Sequence, residues 1–143
     1  MIPLKRHAGR DAMEEISVKT SRKVEMIDIT GEVNRRIKKS GAQEGICLIY
    51  CPHTTAGLTI NENADPNVVR DILNGLDRLI PEDHPYLHAE GNSPAHIKSS
   101  ILGCSTTIII SGGMLSLGTW QSLFFCEFDG PRTRSVWIKI FEG

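Results

Sequence analysis

The chain has 143 residues, with 16 Lys and Arg against 17 Asp and Glu, and 40% of its residues are apolar. That suits one globular domain, long enough to bury roughly two-thirds of its unfolded surface without metal or disulfide staples. A formal net charge of −1 excludes the broad basic field of a general nucleic-acid binder, and no apolar run approaches the roughly 20 residues that span a bilayer.

Residues 1–12 are polar and aperiodic and read as a flexible tail, with no apolar stretch behind the charged start to make a secretory signal. The patterned domain covers 13–143. Ile16-Ser-Val-Lys-Thr alternates as a half-buried strand. Thr30 then caps a short helix carrying Val33 and Ile37 on one face, stopped at Gly41. Residues 45–51 form a buried apolar strand ended by Pro52, and 58–62 alternate as another. Asp65 as N-cap, Pro66 behind it, and Val68, Val69, Ile72, Leu73, Leu76, Leu79 and Ile80 at helical spacing predict the longest helix over 65–80. Residues 81–91 are a loop, and Ser93-Pro94 opens a shorter helix closed by Gly103. Strands follow over 105–110, 120–128 and 135–141, with turns at Gly112-Gly113 and Asp129-Gly130-Pro131. About six strands and three helices make a single compact α+β domain: a mainly antiparallel sheet or sandwich with helices on one side. Cys47, Cys51, Cys104 and Cys126 form no CxxC and three of them lie in apolar runs, which predicts reduced, buried thiols and a cytoplasmic protein.

The densest polar segment runs from Tyr86 to His96. His88 lies in the loop. His96 lies in the first turn of a helix, where free N–H groups and the macrodipole disfavour imidazolium and favour the neutral, ligating or proton-accepting form. The same turn offers amides, with Asn92 and Ser93 beside them, to a phosphate or carboxylate. A surface loop before an ordinary capped helix explains the segment equally well. His53 emerges at a strand tip with Thr54 and Thr55, which alone reads as a strand-to-loop corner. Capping accounts for Asp65, solvation for Glu62, and surface positions for His84 and His7. Arg132 and Arg134 share the face of Val136, Ile138 and Ile140 if parity runs back from them, and two guanidiniums there suit phosphate. If the buried parity belongs to Ser135, Trp137 and Phe141 instead, both arginines are solvated. Trp120 reads as core and Gln121 as a residue that could face a pocket. With no GxxxxGK[ST], HExxH or GxSxG in the chain, residue logic reaches a pocket-bearing, His-lined, anion-binding domain and no specific reaction.

Four ordered blocks go further: His-Thr-Thr-Ala-Gly-Leu-Thr-Ile-Asn-Glu-Asn-Ala-Asp (53–65), His-Ala-Glu-Gly-Asn-Ser-Pro-Ala-His-Ile-Lys (88–98), Leu-Gly-Thr-Trp-Gln (117–121) and Phe-Asp-Gly-Pro-Arg-Thr-Arg (128–134). Together they resemble the YjbQ-type family of secondary thiamine-phosphate synthases, over 13–143. The resemblance implies a β-rich α+β domain assembling as a homotrimer, with pockets near subunit boundaries. It implies a histidine cluster at His53, His88 and His96, candidate ligands for a divalent metal, Mg²⁺ or Zn²⁺, with Glu62 catalytic and Asp65 and Glu90 in support. Its amide and basic positions match Asn92, Lys98, Arg132 and Arg134, which with Ser93 and Gln121 would contact substrate phosphates. One arginine would bind phosphate while the other holds a carboxylate such as Glu62 or Asp65. Many relatives carry a Trp and an Asp-rich loop where this chain has Tyr86-Leu-His-Ala-Glu-Gly, a departure that bears on Glu90. The implied reaction joins hydroxymethylpyrimidine diphosphate to thiazole phosphate and releases pyrophosphate. The leaving diphosphate generates a benzylic-type cation that the thiazole nitrogen captures. A metal-dependent enzyme acting on another small phosphorylated metabolite, and a non-catalytic metabolite- or metal-binding trimer, are the two other readings. None of the three involves nucleic acid or membrane.

Overall fold

Period-two alternation in the strands sorts the apolar side chains into two antiparallel sheets, described over residues 13–143 of a computed structural model. The expected tail over 1–12 lies outside the described residues. The elements are β1 (Glu14–Lys19), β2 (Glu25–Asp28), α1 (Thr30–Ser40), β3 (Gly45–Tyr50), β4 (Ala56–Glu62) and α2 (Pro66–Leu79). They continue with α3 (Ser93–Leu102), β5 (Ser105–Ser111), β6 (Met114–Leu115), β7 (Gln121–Glu127) and β8 (Thr133–Glu142). One sheet runs β1-β8-β3-β5-β6 and the other β2-β7-β4.

The main core fills the space between the sheets: Ile16 and Val18 of β1, Cys47 and Ile49 of β3, Ile108 and Ile110 of β5, and Val136, Ile138 and Ile140 of β8 face Leu58, Leu123 and Phe125. Helix α1 adds Val33 and Ile37 to it. Because β7 is buried on both faces, its alternate residues Phe124 and Cys126, with Phe128, form a second cluster under Ala95 of α3 and Val69, Leu73 and Leu76 of α2. The expected helices on one side are therefore α2 and α3, but they cover a second sheet rather than a single one.

Three details differ from the sequence reading. Thr30 is the first residue of α1 rather than its cap: Ile29 holds the cap position, Asp28 Oδ1 accepts the Thr30 N–H at 2.9 Å, and the Thr30 hydroxyl accepts the Leu123 N–H at 2.9 Å. Ser93 opens α3 as expected, with Asn92 at its N-cap. Strands β2 and β6 are additional; β6 exists because Gly112 and Gly113, at φ 61° and 78°, turn the chain back on β5 as a two-residue hairpin. Trp120 is 64% exposed and belongs to neither core.

Candidate functional site

The site forms where the two sheets meet at one end of the sandwich. Glu127 closes β7 on the same face as Leu123 and Phe125, and Arg134, the second residue of β8, lies on the same face as Val136, so both point inward. They are 0% and 5% exposed. Arg134 donates from Nε and Nη2 to the Glu127 carboxylate and from Nη2 to Thr55 Oγ1 at 2.8 Å. The carboxylate also accepts from Thr20 Oγ1 at 2.8 Å and from the N–H groups of Phe128 and Asp129 at 3.1 and 3.2 Å. Burial pushes the Glu127 carboxyl up, but hydrogen bonds from Arg134 and Thr20 outweigh it and hold the group below its ordinary value. The Arg134 charge is thus neutralised by an internal partner.

The β7–β8 turn carries a cis Gly130–Pro131 bond. A Cβ at Gly130 would lie 2.3 Å from the Arg22 carbonyl oxygen, so only glycine fits. Arg132 leaves this turn half-exposed, donating from Nε to the Asp129 carbonyl at 2.7 Å and from Nη2 to Asp129 Oδ2 at 2.8 Å. A guanidinium has five N–H donors, so several remain for a ligand. Asn92 Nδ2 donates to the same Asp129 Oδ2 at 2.9 Å, tying the start of α3 to the turn, while its Oδ1 is buried without a partner.

His53 stands beyond the end of β3, opposite the start of β8. Its Nε2 accepts the Ser135 N–H at 2.9 Å. A backbone amide can only donate, so Nε2 carries the lone pair and the neutral ring holds its proton on Nδ1. Burial, followed by the positive charge of Arg134, lowers the His53 pKa and keeps the ring neutral. His88 and His96 meet edge to face with ring centroids 5.3 Å apart, and His88 Nε2 lies 3.9 Å from Glu90 Oε2.

A cleft of about 430 Å³ gathers Pro52, His53, Thr54 and Thr55 from the β3–β4 corner, His88, Glu90, Asn92 and His96 from the loop and α3, and Asp129, Arg132 and Arg134 from the β7–β8 turn. A second depression of about 310 Å³ shares His88 and His96 with the cleft and is lined also by Tyr86, Ser93 and Ile97. The expected convergence of His53, His88 and His96 on one cleft is present within a single chain. Glu90, Asn92, Arg132 and Arg134 join them, with Ser93 at the border.

The remaining candidates sit elsewhere. Lys98 is 1% exposed, paired with Asp77 of α2, and its ammonium lies 5.9 Å from the Phe128 ring centre, so it clamps helices together. Asp65 accepts the Asn67 N–H at 2.9 Å as the cap of α2. Glu62 ends β4 opposite Gln121, whose Oε1 accepts the Gly118 N–H at 2.7 Å. The carboxylate that Arg134 holds is therefore Glu127, not Glu62 or Asp65. Glu127 and Asp129 were not among the candidates, although a lone carboxylate closing the apolar run of 123–126 signals a buried partner.

Among the described residues no group of three or more His, Cys, Asp or Glu is placed to hold a metal ion. With His53 Nε2 taken by the Ser135 amide, a three-imidazole ion site does not fit one chain; the three rings instead line one wall of the cleft. No helix among the described residues is long and apolar enough to cross a membrane.

The sequence profile of the UPF0047 protein YjbQ-like family matches residues 14–143. A UPF0047 protein of Methanocaldococcus jannaschii is 56% identical over 86% of this chain and 89% of its own length. The UPF0047 protein YugU of Bacillus subtilis is 52% identical over 90% of this chain and 98% of its own. An uncharacterized conserved protein of the same family from Clostridium acetobutylicum superposes with a TM-score of 0.87 at 55% identity, covering 90% of this chain and 99% of that one. The fold, the order of the sequence blocks and these relatives agree: the chain belongs to the YjbQ/UPF0047 family.

Proposed function

We propose that the cleft binds the phosphoryl end of a small metabolite, and that the protein is a cytoplasmic thiamine-phosphate synthase-like transferase joining hydroxymethylpyrimidine diphosphate to thiazole phosphate with release of pyrophosphate. The observation that carries the reading is Arg132, braced by Asp129 at 2.7 and 2.8 Å and half-exposed on the wall that also bears three imidazoles. Loss of a diphosphate needs donors aimed at the departing oxygens and a group to deliver a proton to them. Arg132 supplies the fork, His53 its Nδ1–H, and His88 with His96 the proton exchange. A pyrimidine ring would lie across that histidine pair against Tyr86 and Ile97.

A resident three-histidine metal does not suit the single chain. Any divalent ion, Mg²⁺ foremost, would arrive with the diphosphate, held by its oxygens and a carboxylate. A homotrimer is part of the proposal, supported by an uncovered apolar row across the outer face of the larger sheet. There Phe141, Ile46 and Ile109 sit side by side in register, 41%, 42% and 63% exposed.

Calorimetric titration of pyrophosphate and a turnover assay with both thiamine precursors test this reading. Binding with product formation is the expected result. Binding with turnover only of other phosphate esters would replace the reaction with that of a different phosphorylated-metabolite enzyme, and binding without any turnover would leave a ligand-binding trimer. Arg132→Lys keeps the charge but loses the planar fork, so pyrophosphate affinity falls about tenfold, roughly 1.4 kcal/mol, with an unchanged melt. Unchanged affinity removes Arg132 from the site.

A further inference from the structure

The ladder between β3 and β5 pairs Tyr50 with Ser105, and one step beyond it Cys51 stands directly opposite Cys104. The pairing persists there, because the Cys51 N–H donates to the Cys104 carbonyl at 2.7 Å. Directly opposed residues of an antiparallel pair project to the same face, and at a hydrogen-bonded pair their Cα atoms are about 5.5 Å apart, inside the range disulfides adopt. Parity agrees: Cys51 continues the inward row of Cys47 and Ile49, and Cys104 that of Ile108 and Thr106. Their surroundings differ. Cys51 is 1% exposed, whereas Cys104 is exposed at the rim.

We propose that Cys51 and Cys104 are a peroxide-oxidisable pair that closes to a cross-strand disulfide, with Cys104 the attacked thiol and Cys51 the resolving one. The Cys104 thiolate attacks hydrogen peroxide; an S–O bond forms, the O–O bond breaks, and the departing hydroxide leaves as water with the thiol proton. The Cys51 sulfur then attacks the Cys104 sulfenic sulfur. The S–S bond forms, the S–O bond breaks, and hydroxide leaves as a second water with the Cys51 proton. Two thiols are oxidised and one peroxide is reduced to two waters, and a dithiol reductant reverses the change. Burial makes Cys51 a slow nucleophile toward anything in solution, but a partner held opposite it on the next strand needs no encounter. The disulfide would fasten the Cys51-Pro52-His53 corner to the start of β5, so the oxidised form holds one wall of the cleft by a covalent bond.

The test treats the whole protein with hydrogen peroxide, counts thiols in denaturant, and maps peptides without reduction. Free thiols are expected to fall from four to two per chain, with a cross-linked peptide pair containing Cys51 and Cys104 that dithiothreitol releases. Cys104→Ser, at an exposed position, should retain its remaining thiols under the same dose. A Cys104 that stops at sulfinic acid, that joins a second chain, or a link from Cys51 to Cys126 instead would overturn the proposal.

Discussion

Glu127 and Arg134 are charges almost wholly withdrawn from water at the floor of the cleft, and such a pair is tolerated only while both partners are present. Glu127→Ala strips the buried Arg134 of its counter-charge and leaves its guanidinium only the Thr55 oxygens, and should cost about 3–5 kcal/mol in urea unfolding. The double variant Glu127→Leu with Arg134→Met should lose much less than the sum of the single changes, whereas additive losses would mean that the two side chains act independently. His53 and Glu127 also set an acid limit. Both have folded-state pKa values below their ordinary 6.5 and 4.5, so each takes up a proton more readily unfolded than folded. Their stabilisation is complete above those ordinary values and is lost as the pH falls through the lower folded ones. A urea midpoint followed from pH 8 to 4 should therefore decline first below about 6.5 and again below about 4.5, and His53→Asn should remove the first decline. At this scale the sequence left two parities open for Arg134, and the fold puts it on the buried face of Val136. The sequence hid the partner set, since Thr20 lies 107 residues from Glu127 and only the closing of the two sheets joins them.

Helix α2 was readable because its signals are local: a capping Asp65, Pro66 behind it, and apolar residues at helical spacing. Asp65→Ala should cost about 1 kcal/mol by thermal melt, through the cap alone, with pyrophosphate binding unchanged. An affinity loss instead would return Asp65 to the site. Strands β2 and β6, of four and two residues, are too short to show a period and exist through pairing with β7 and β5. Lys98 misleads for a related reason. The family resemblance sets it among the phosphate-binding residues, but the carboxylate that turns it inward is Asp77 on a different helix. The cleft was legible only in part: the blocks 53–65, 88–98 and 128–134 each send residues to it, and the block 117–121 sends none. That the β3–β4 corner and the β7–β8 turn would touch, through the Phe128 N–H to the Thr55 carbonyl at 3.1 Å, was not legible.

At the scale of the molecule, the two faces of the larger sheet are unequal. The inner face is filled by the core, while Phe141, Ile46 and Ile109 lie in a row on the outer one with Met114, 53% exposed, at its edge. Light scattering at micromolar concentration should give the mass of three chains, and Ile109→Lys, which sets a charge in the middle of that row, should shift it toward one. A single-chain mass for the unaltered protein would end the trimer proposal. If the row is covered only in the assembly, part of the protection against heat is supplied by neighbours and obeys mass action. The melting midpoint then has no single value. It should fall with each tenfold dilution in the unaltered protein and stay fixed in Ile109→Lys, so that how much heat the chain survives depends on how much of it is present.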